Sequence, residues 1–316
     1  MSQYVFGPVP SRRLGRSLGI DLLPLKTCSF NCVYCQVGRT TCLAIERKEW
    51  VPTAPVLEQV KQRIAGPVSP DVITFSGSGE PTLHSGIGEI IRGIKSFTQI
   101  PVVVLTNGSL LWMPEVRRDL LEADIVVPSL DAGSESLFQY VNRPHPDISL
   151  EKLIEGTIRF REEYKGQIWL EVFLMWGVTA MDREVEKMAA IAERIRPDRI
   201  QLNTVARPPA EEYAYSVPEE RMRYFATMFE PKAEVIGGHS STLEMTGLVG
   251  SSEEILALVR RRPCTLDDIA DGLAMNRNVV IKYVDRLISE GHLRHKVQDS
   301  LVYYWATEES PSKNET

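Results

Sequence analysis

The sequence predicts an α/β protein whose main body is a partial (β/α)6 barrel of parallel strands, joined to a small C-terminal helical domain. Three observations carry this. Short apolar runs alternate with longer stretches of helical periodicity, the strand runs are apolar almost throughout, and the pattern changes grain near residue 250. The strands are expected at Leu18–Leu23, Val72–Ser76, Val102–Thr106, Ile125–Ser129, Ile168–Leu174 and Ile200–Asn203, each bounded by Gly, Pro, Asp or Asn. Between them, Val56, Val60 and Ile64 share one helical face, as do Ile87, Ile91 and Ile94, then Leu153, Ile154 and Ile158, and then Val185, Met188, Ile191 and Ile195. Six such repeats span about 200 residues, short of the roughly 250 that a closed eight-fold barrel needs. The expected barrel covers residues 1–236.

Residues 237–251, GGHSSTLEMTGLVGS, read as a Gly/Ser/Thr-rich linker. A helix is expected from Glu254. A second follows Thr265, a natural N-cap ahead of Asp267 and Asp268, and a third runs from Asn276 to a C′ glycine at Gly291. His292–Val297 and Leu301–Trp305 read as a hairpin. Three helices and a hairpin in this order resemble a winged helix over residues 252–306. The last ten residues, 307–316, read as a disordered tail.

The chain has 316 residues with 36 Lys+Arg and 42 Asp+Glu, a net charge of −6, which argues against broad coating of nucleic acid. No run of 18 apolar residues occurs and the first residues lack a secretory apolar stretch, so no membrane span and a cytoplasmic location are expected. Four of the five cysteines, Cys28, Cys32, Cys35 and Cys42, fall within fifteen residues, while Cys264 stands far away. An odd count with three thiols in eight positions is a poor disulfide framework and a good metal-binding one.

Cys28-Ser-Phe-Asn-Cys32-Val-Tyr-Cys35 has the spacing C-x3-C-x2-C and directly follows the first expected strand. Three thiolates on one loop can hold three irons of a 4Fe–4S cluster and leave the fourth iron open to a substrate or cofactor. The alternative from the cysteines alone is a structural zinc site closed by Cys42, although no second C-x2-C knuckle is present.

Further motifs stand at successive strand ends. Ser76-Gly-Ser-Gly79-Glu80-Pro follows the second strand, Thr106-Asn107-Gly ends the third, and Pro128-Ser129-Leu-Asp131 ends the fourth. In parallel βα folds ligands bind at the carboxyl ends of the strands, so one mouth can collect these residues. A carboxylate such as Glu80 suits a cationic amino group, Gly79 lets backbone approach closely, and Asn107 and Ser129 can hydrogen-bond hydroxyls or a carboxylate. Taken singly, each reads as turn chemistry or a helix cap.

With Tyr34 immediately before the third cysteine, these elements resemble the radical S-adenosylmethionine (SAM) superfamily over about residues 7–235. The block GPVPSRRLGRSLGIDLLPLKTCSFNCVYCQ is similar to a wyosine-synthetase-related, iron–sulfur oxidoreductase-like subgroup. The resemblance implies a 4Fe–4S cluster on Cys28, Cys32 and Cys35. It also implies S-adenosyl-L-methionine on the open iron, with Tyr34, Gly79, Glu80, Asn107, Ser129 and Asp131 around it. A reduced flavodoxin or ferredoxin would deliver an electron, giving methionine and a 5′-deoxyadenosyl radical that abstracts hydrogen from a substrate.

Other polar residues interrupt core strands. Glu171, within IWLEVFLMW, is expected to have a partner and to meet SAM or substrate, and Asn203, with Gln201 and Arg207, is a candidate to face the barrel lumen. Arg12, Arg13 and Arg16 read as a solvated basic segment. Residues 251–300 carry eight Lys+Arg and eight Asp+Glu, so the winged helix suits protein docking at least as well as RNA. Outside catalysis, the same features describe a cluster-bearing regulator that binds DNA or protein.

Overall fold

The computed structural model describes residues 4–11, 13–66, 68–236, 252–273, 275, 277–298 and 301–307. The chain divides into two compact units, Met1–Ser240 and Ser241–Thr316. The expected linker 237–251, nearly all of the expected tail, and Arg12 lie outside the described residues.

The first unit is an α/β fold on one eight-stranded sheet. Its elements run β1 (Val5–Ser11), β2 (Gly15–Ile20), β3 (Thr27–Cys28), β4 (Cys42–Leu43), α1 (Thr53–Ile64), β5 (Val72–Phe75), α2 (Ile87–Lys95), β6 (Val102–Thr106) and α3 (Pro114–Leu120). Then come β7 (Ile125–Pro128), α4 (Glu135–Val141), α5 (Leu150–Glu163), β8 (Gln167–Leu174), α6 (Asp182–Ile195), β9 (Arg199–Thr204), α7 (Glu219–Ala226) and β10 (Glu234–Val235). The sheet order is β1-β2-β5-β6-β7-β8-β9-β10, parallel throughout except for the β1–β2 hairpin. β3 and β4 form a separate parallel pair at the cysteine loop.

The alternation along each strand explains the continuous apolar runs. Ile73, Phe75, Val102, Val104, Val126 and Ile168 pack on Val56, Val60, Ile87, Ile91, Ile94 and Phe160 of the helices. Leu170, Val172, Leu174, Ile200 and Leu202 do the same against Val185, Met188, Ile191 and Ile195. Each wholly buried side chain of this kind contributes about 1.5–3 kcal/mol. The other face carries Val72, Val103, Val127 and Trp169, which form one buried cluster with Leu14 of the hairpin tip. Arg13 of the same tip reaches Glu171 of β8 and Gln201 of β9, so the sheet curls around this face.

Two departures from expectation lie at the start of the sheet. The first parallel strand starts and ends three residues early, because Asp21 leaves the sheet to accept the Ser78 N–H (3.2 Å) and hydroxyl (2.6 Å). Its antiparallel partner β1 escapes sequence reading because Pro8 and Pro10 mimic a turn. Prolines are tolerated there since β1 is an edge strand.

The second unit holds α8 (Ser252–Val259), α9 (Leu266–Gly272), α10 (Arg277–Ser289) and an antiparallel hairpin of β11 (Leu293–Gln298) and β12 (Leu301–Ala306). Thr265 and Asp268 form a capping box at the start of α9. Gly291 follows α10 at φ 77°, with its N–H on the Ile288 carbonyl, as a C-terminal glycine requires. Cys264 is fully buried in this unit.

Candidate active site at the strand ends

The cysteine loop leaves β3 and is clamped by a segment that sequence reasoning missed. Residues 141–145, leaving α4, run beside it: Val33 N–H donates to the Val141 carbonyl (2.9 Å), Asn31 N–H to that of Asn142 (3.0 Å), and His145 N–H to that of Ser29 (2.9 Å). Phe30 bridges to Pro144 in antiparallel fashion. The available signal was the run Asn142-Arg-Pro-His-Pro, whose prolines cannot continue a helix, and Arg143 turns the chain there at φ 43°.

The strand-end residues converge on this loop. Gly79 sits so close to it that a Cβ would lie 1.7 Å from the Thr27 carbonyl oxygen, and Glu80 N–H donates to that same oxygen (3.3 Å). No other residue fits there. Glu80 is buried, and its Oε1 accepts Thr82 N–H (3.1 Å) and the hydroxyls of Thr82 (2.5 Å) and Thr106 (2.6 Å), while Oε2 accepts Asn107 N–H (2.7 Å). The carboxylate expected to meet a ligand's amino group thus fastens the tip of β5 to the tip of β6. Asn107 Nδ2 lies 2.8 Å from the Ser29 hydroxyl and 3.7 Å from Cys28 Sγ.

Around Cys32 a second network forms. Asp131, at the end of β7, accepts the Tyr34 hydroxyl (2.5 Å) and Asn142 Nδ2 (2.6 Å), and that same amide nitrogen lies 3.5 Å from Cys32 Sγ. Tyr34 stacks on Phe173 of β8 with centroids 3.9 Å apart. Burial raises Asp131 to about 6 despite these donors. Ser129 pairs through its backbone with Glu171, whose carbonyl also takes the Leu130 N–H (2.8 Å).

Glu171 lies on the same face of β8 as Trp169, and its carboxylate pairs with Arg13, which also donates to Gln201 (3.2 Å). Arg13 is therefore not a solvated base. It crosses from the hairpin tip to the far strands and neutralises a mostly buried acid. Arg16 pairs with Asp71 in solvent. Asn203 lies on the same face of β9 as Gln201, stands in register with Phe173, on which Tyr34 stacks, and its Oδ1 accepts Thr204 N–H (3.0 Å).

Burial pushes the Cys28 thiol up to about 12, with the Glu80 charge adding to it, and raises Cys32, helped by the Asp131 charge, and Cys35. Thiolates in such a place need a compensating cation and hydrogen-bond donors. Asn107 and Asn142 already aim amides at two sulfurs, and backbone N–H groups of Val37 and Gly38 face Cys35. This donor set fits an iron–sulfur group in which each thiolate holds its own iron. Among the described residues no three His, Cys, Asp or Glu side chains converge closely enough for a single metal ion, and Cys42 is exposed.

A curled parallel sheet with three cysteines and polar strand tips at its carboxyl end defines a class, and sequence comparison agrees with it. The chain belongs to the radical SAM superfamily, whose sequence profile matches residues 22–190. It is therefore an enzyme of that superfamily. It is 34% identical over 318 residues to a UPF0026 protein of Methanocaldococcus jannaschii, covering 98% of each chain. It is 33% identical over 306 residues to a UPF0026 protein of Helicobacter pylori, covering 96% of this chain and 97% of that one. A Brachyspira hyodysenteriae protein named GTPase Obg is 36% identical over 306 residues, 96% of this chain but 45% of that one, so the chain spans less than half of that relative.

Among solved structures the fold is similar to a radical SAM methyltransferase from Sphaerobacter thermophilus, with TM-score 0.55 and 19% identity over 69% of this chain and 65% of that one. It is also similar to Streptococcus suis SuiB bound to its precursor peptide SuiA, with TM-score 0.55 and 12% identity over 70% and 49% of the respective chains. Among the described residues no helix is long and apolar enough to cross a membrane.

Proposed function

We propose that this protein is a cytoplasmic radical SAM enzyme built on a partial (β/α)6 barrel, with Cys28, Cys32 and Cys35 holding a 4Fe–4S cluster and SAM seated at the strand ends. The observation that carries the reading is the cysteine loop itself, three partly buried thiols with side-chain amides directed at two of them. When bound, the cluster and SAM supply one-electron reductive cleavage and hydrogen abstraction from a substrate, with reduced flavodoxin or ferredoxin as donor. The chain's residues supply position. Glu80 and Gly79 fix the loop's base, and Asn107 holds Ser29 and Cys28. Tyr34, Asp131 and Asn142 brace Cys32, while Ser129 and Asn203 offer polar groups near by for ribose or methionine. Arg13, Glu171 and Gln201 form a polar tier on the curled face, where a substrate's polar groups can be met.

The second unit supports the reading of a winged helix that docks a macromolecular substrate, and protein is favoured over RNA. On α10, Arg277 pairs with Asp267 and Arg286 with Glu290, so those charges are already answered. The hairpin meanwhile exposes Val297, Leu301 and Val302. Binding that changes little between about 50 and 200 mM salt supports protein, and a steep loss indicates phosphate contacts.

The enzyme reading is tested by anaerobic reconstitution with iron and sulfide, followed by assay of 5′-deoxyadenosine with SAM, with and without reductant. Reductant-dependent 5′-deoxyadenosine is expected even without substrate. A chain that binds the cluster and SAM yet forms none under reduction would favour the non-catalytic regulator instead.

A further inference from the structure

The three cysteine sulfurs are not served alike. Cys28 faces the backbone N–H groups of Ser29 and Phe30 as well as the Asn107 amide. Cys35 faces the backbone N–H groups of Val37 and Gly38 together with the Lys26 charge. At Cys32 the donors are side chains, the Asn142 amide and the Tyr34 hydroxyl, and the hydroxyl's single hydrogen is shared with Asp131.

Asn142 is placed for this with little freedom. It is 1% exposed, its carbonyl accepts the Asn31 N–H from the cysteine loop, and its side chain lies between Cys32 and Asp131. The amide's orientation follows from its neighbours. A carboxylate at 2.6 Å demands the NH2 end, and the second hydrogen of that group then points to sulfur. Its Oδ1 is buried with no partner among the described residues, so Asn142 tolerates an unsatisfied acceptor in order to present both hydrogens.

We propose that Asn142 is a positioning residue that sets the reduction potential of the cluster, by donating an N–H···S hydrogen bond to the Cys32 thiolate while Asp131 holds the amide in register. The inference rests on the cysteines holding a cluster. Reduction adds an electron to the cluster, and a donor on a ligating sulfur stabilises the more negative state, so the bond raises the potential. Asp131 brings negative charge towards the same sulfur, and Asn142 stands between the two.

The test is a redox titration of the reconstituted cluster, followed by electron paramagnetic resonance in the absence of SAM. Asn142→Leu keeps the size and removes the donor. It is expected to retain wild-type iron and to shift the midpoint potential negative by a tenfold change in the one-electron equilibrium, about 59 mV. Should Asn142→Leu lose iron, Asn142→Asp keeps the shape, cannot donate to sulfur when ionised, and is expected to shift the potential in the same direction. An iron-loaded variant with the wild-type potential overturns the proposal. Failure of both variants to hold iron overturns it too, since Asn142 is then a prop of the loop. A wild-type chain that takes up no iron sinks the underlying reading, and this is seen before any variant is made.

Discussion

In the first unit the polar residues at the strand ends are bound to one another across long stretches of sequence, whereas in the second unit the pairs Arg277–Asp267 and Arg286–Glu290 sit in solvent. Arg13 and Glu171 are 158 positions apart and only 14% and 17% exposed in their side chains, while Arg277 and Asp267 are ten apart and 55% and 61% exposed. A buried pair is costly to break, because the survivor keeps its charge without water or partner. An exposed pair is nearly free to break. The difference teaches where the chain has committed polar groups to shape. It has done so around the cysteine loop and on the curled face, not on α10.

The largest effect is expected at that contrast. Arg13→Ala leaves Glu171 largely buried and unanswered and should lower the free energy of unfolding in urea by about 3 kcal/mol, whereas Arg277→Ala should change it by no more than about 0.5 kcal/mol. Equal effects would dissolve the distinction between the two pairs. Next comes Glu80→Gln, which replaces one acceptor of a four-donor set by an NH2 group facing N–H or O–H. It should destabilise the cluster-free protein by about 2 kcal/mol, as measured by the shift in unfolding midpoint. Unchanged stability with roughly ten- to hundred-fold weaker SAM binding would instead assign the carboxylate to the ligand's amino group. Smaller than the Arg13 and Glu80 effects is that of Thr265→Ala, which removes the capping box of α9 and should cost about 1 kcal/mol, read from the thermal unfolding of the whole chain.

The contrast also explains how much of the molecule could be read from its sequence. Val102–Thr106 is a strand as expected, and Ile87, Ile91 and Ile94 share a buried face as expected, because periodicity is local. Thr265 caps α9 for the same reason. The edge strand Val5–Ser11 was hidden because its prolines read as turn residues, and only its place at the sheet edge makes them acceptable. Arg13 read as a surface base, and Asn142 drew no notice at all. Each meets its partner only after the sheet has curled or α4 has returned to the loop, with separations of 158 and 110 positions that no local pattern records. Glu80 was visible as part of a motif, yet the four donors that hold its carboxylate were not. A carboxylate near a ligand site looks the same in sequence whether it faces the ligand or holds the loop beneath it.

The central claim is that Cys28, Cys32 and Cys35, and not Cys42, hold an iron–sulfur cluster on a loop that the strand ends keep in place. Iron content and visible absorbance after anaerobic reconstitution, compared between Cys32→Ala and Cys42→Ala, test it directly. Cys32→Ala should lose the cluster and Cys42→Ala should keep it at the wild-type level. Loss of metal from Cys42→Ala, with zinc rather than iron in the protein as isolated, would contradict the account.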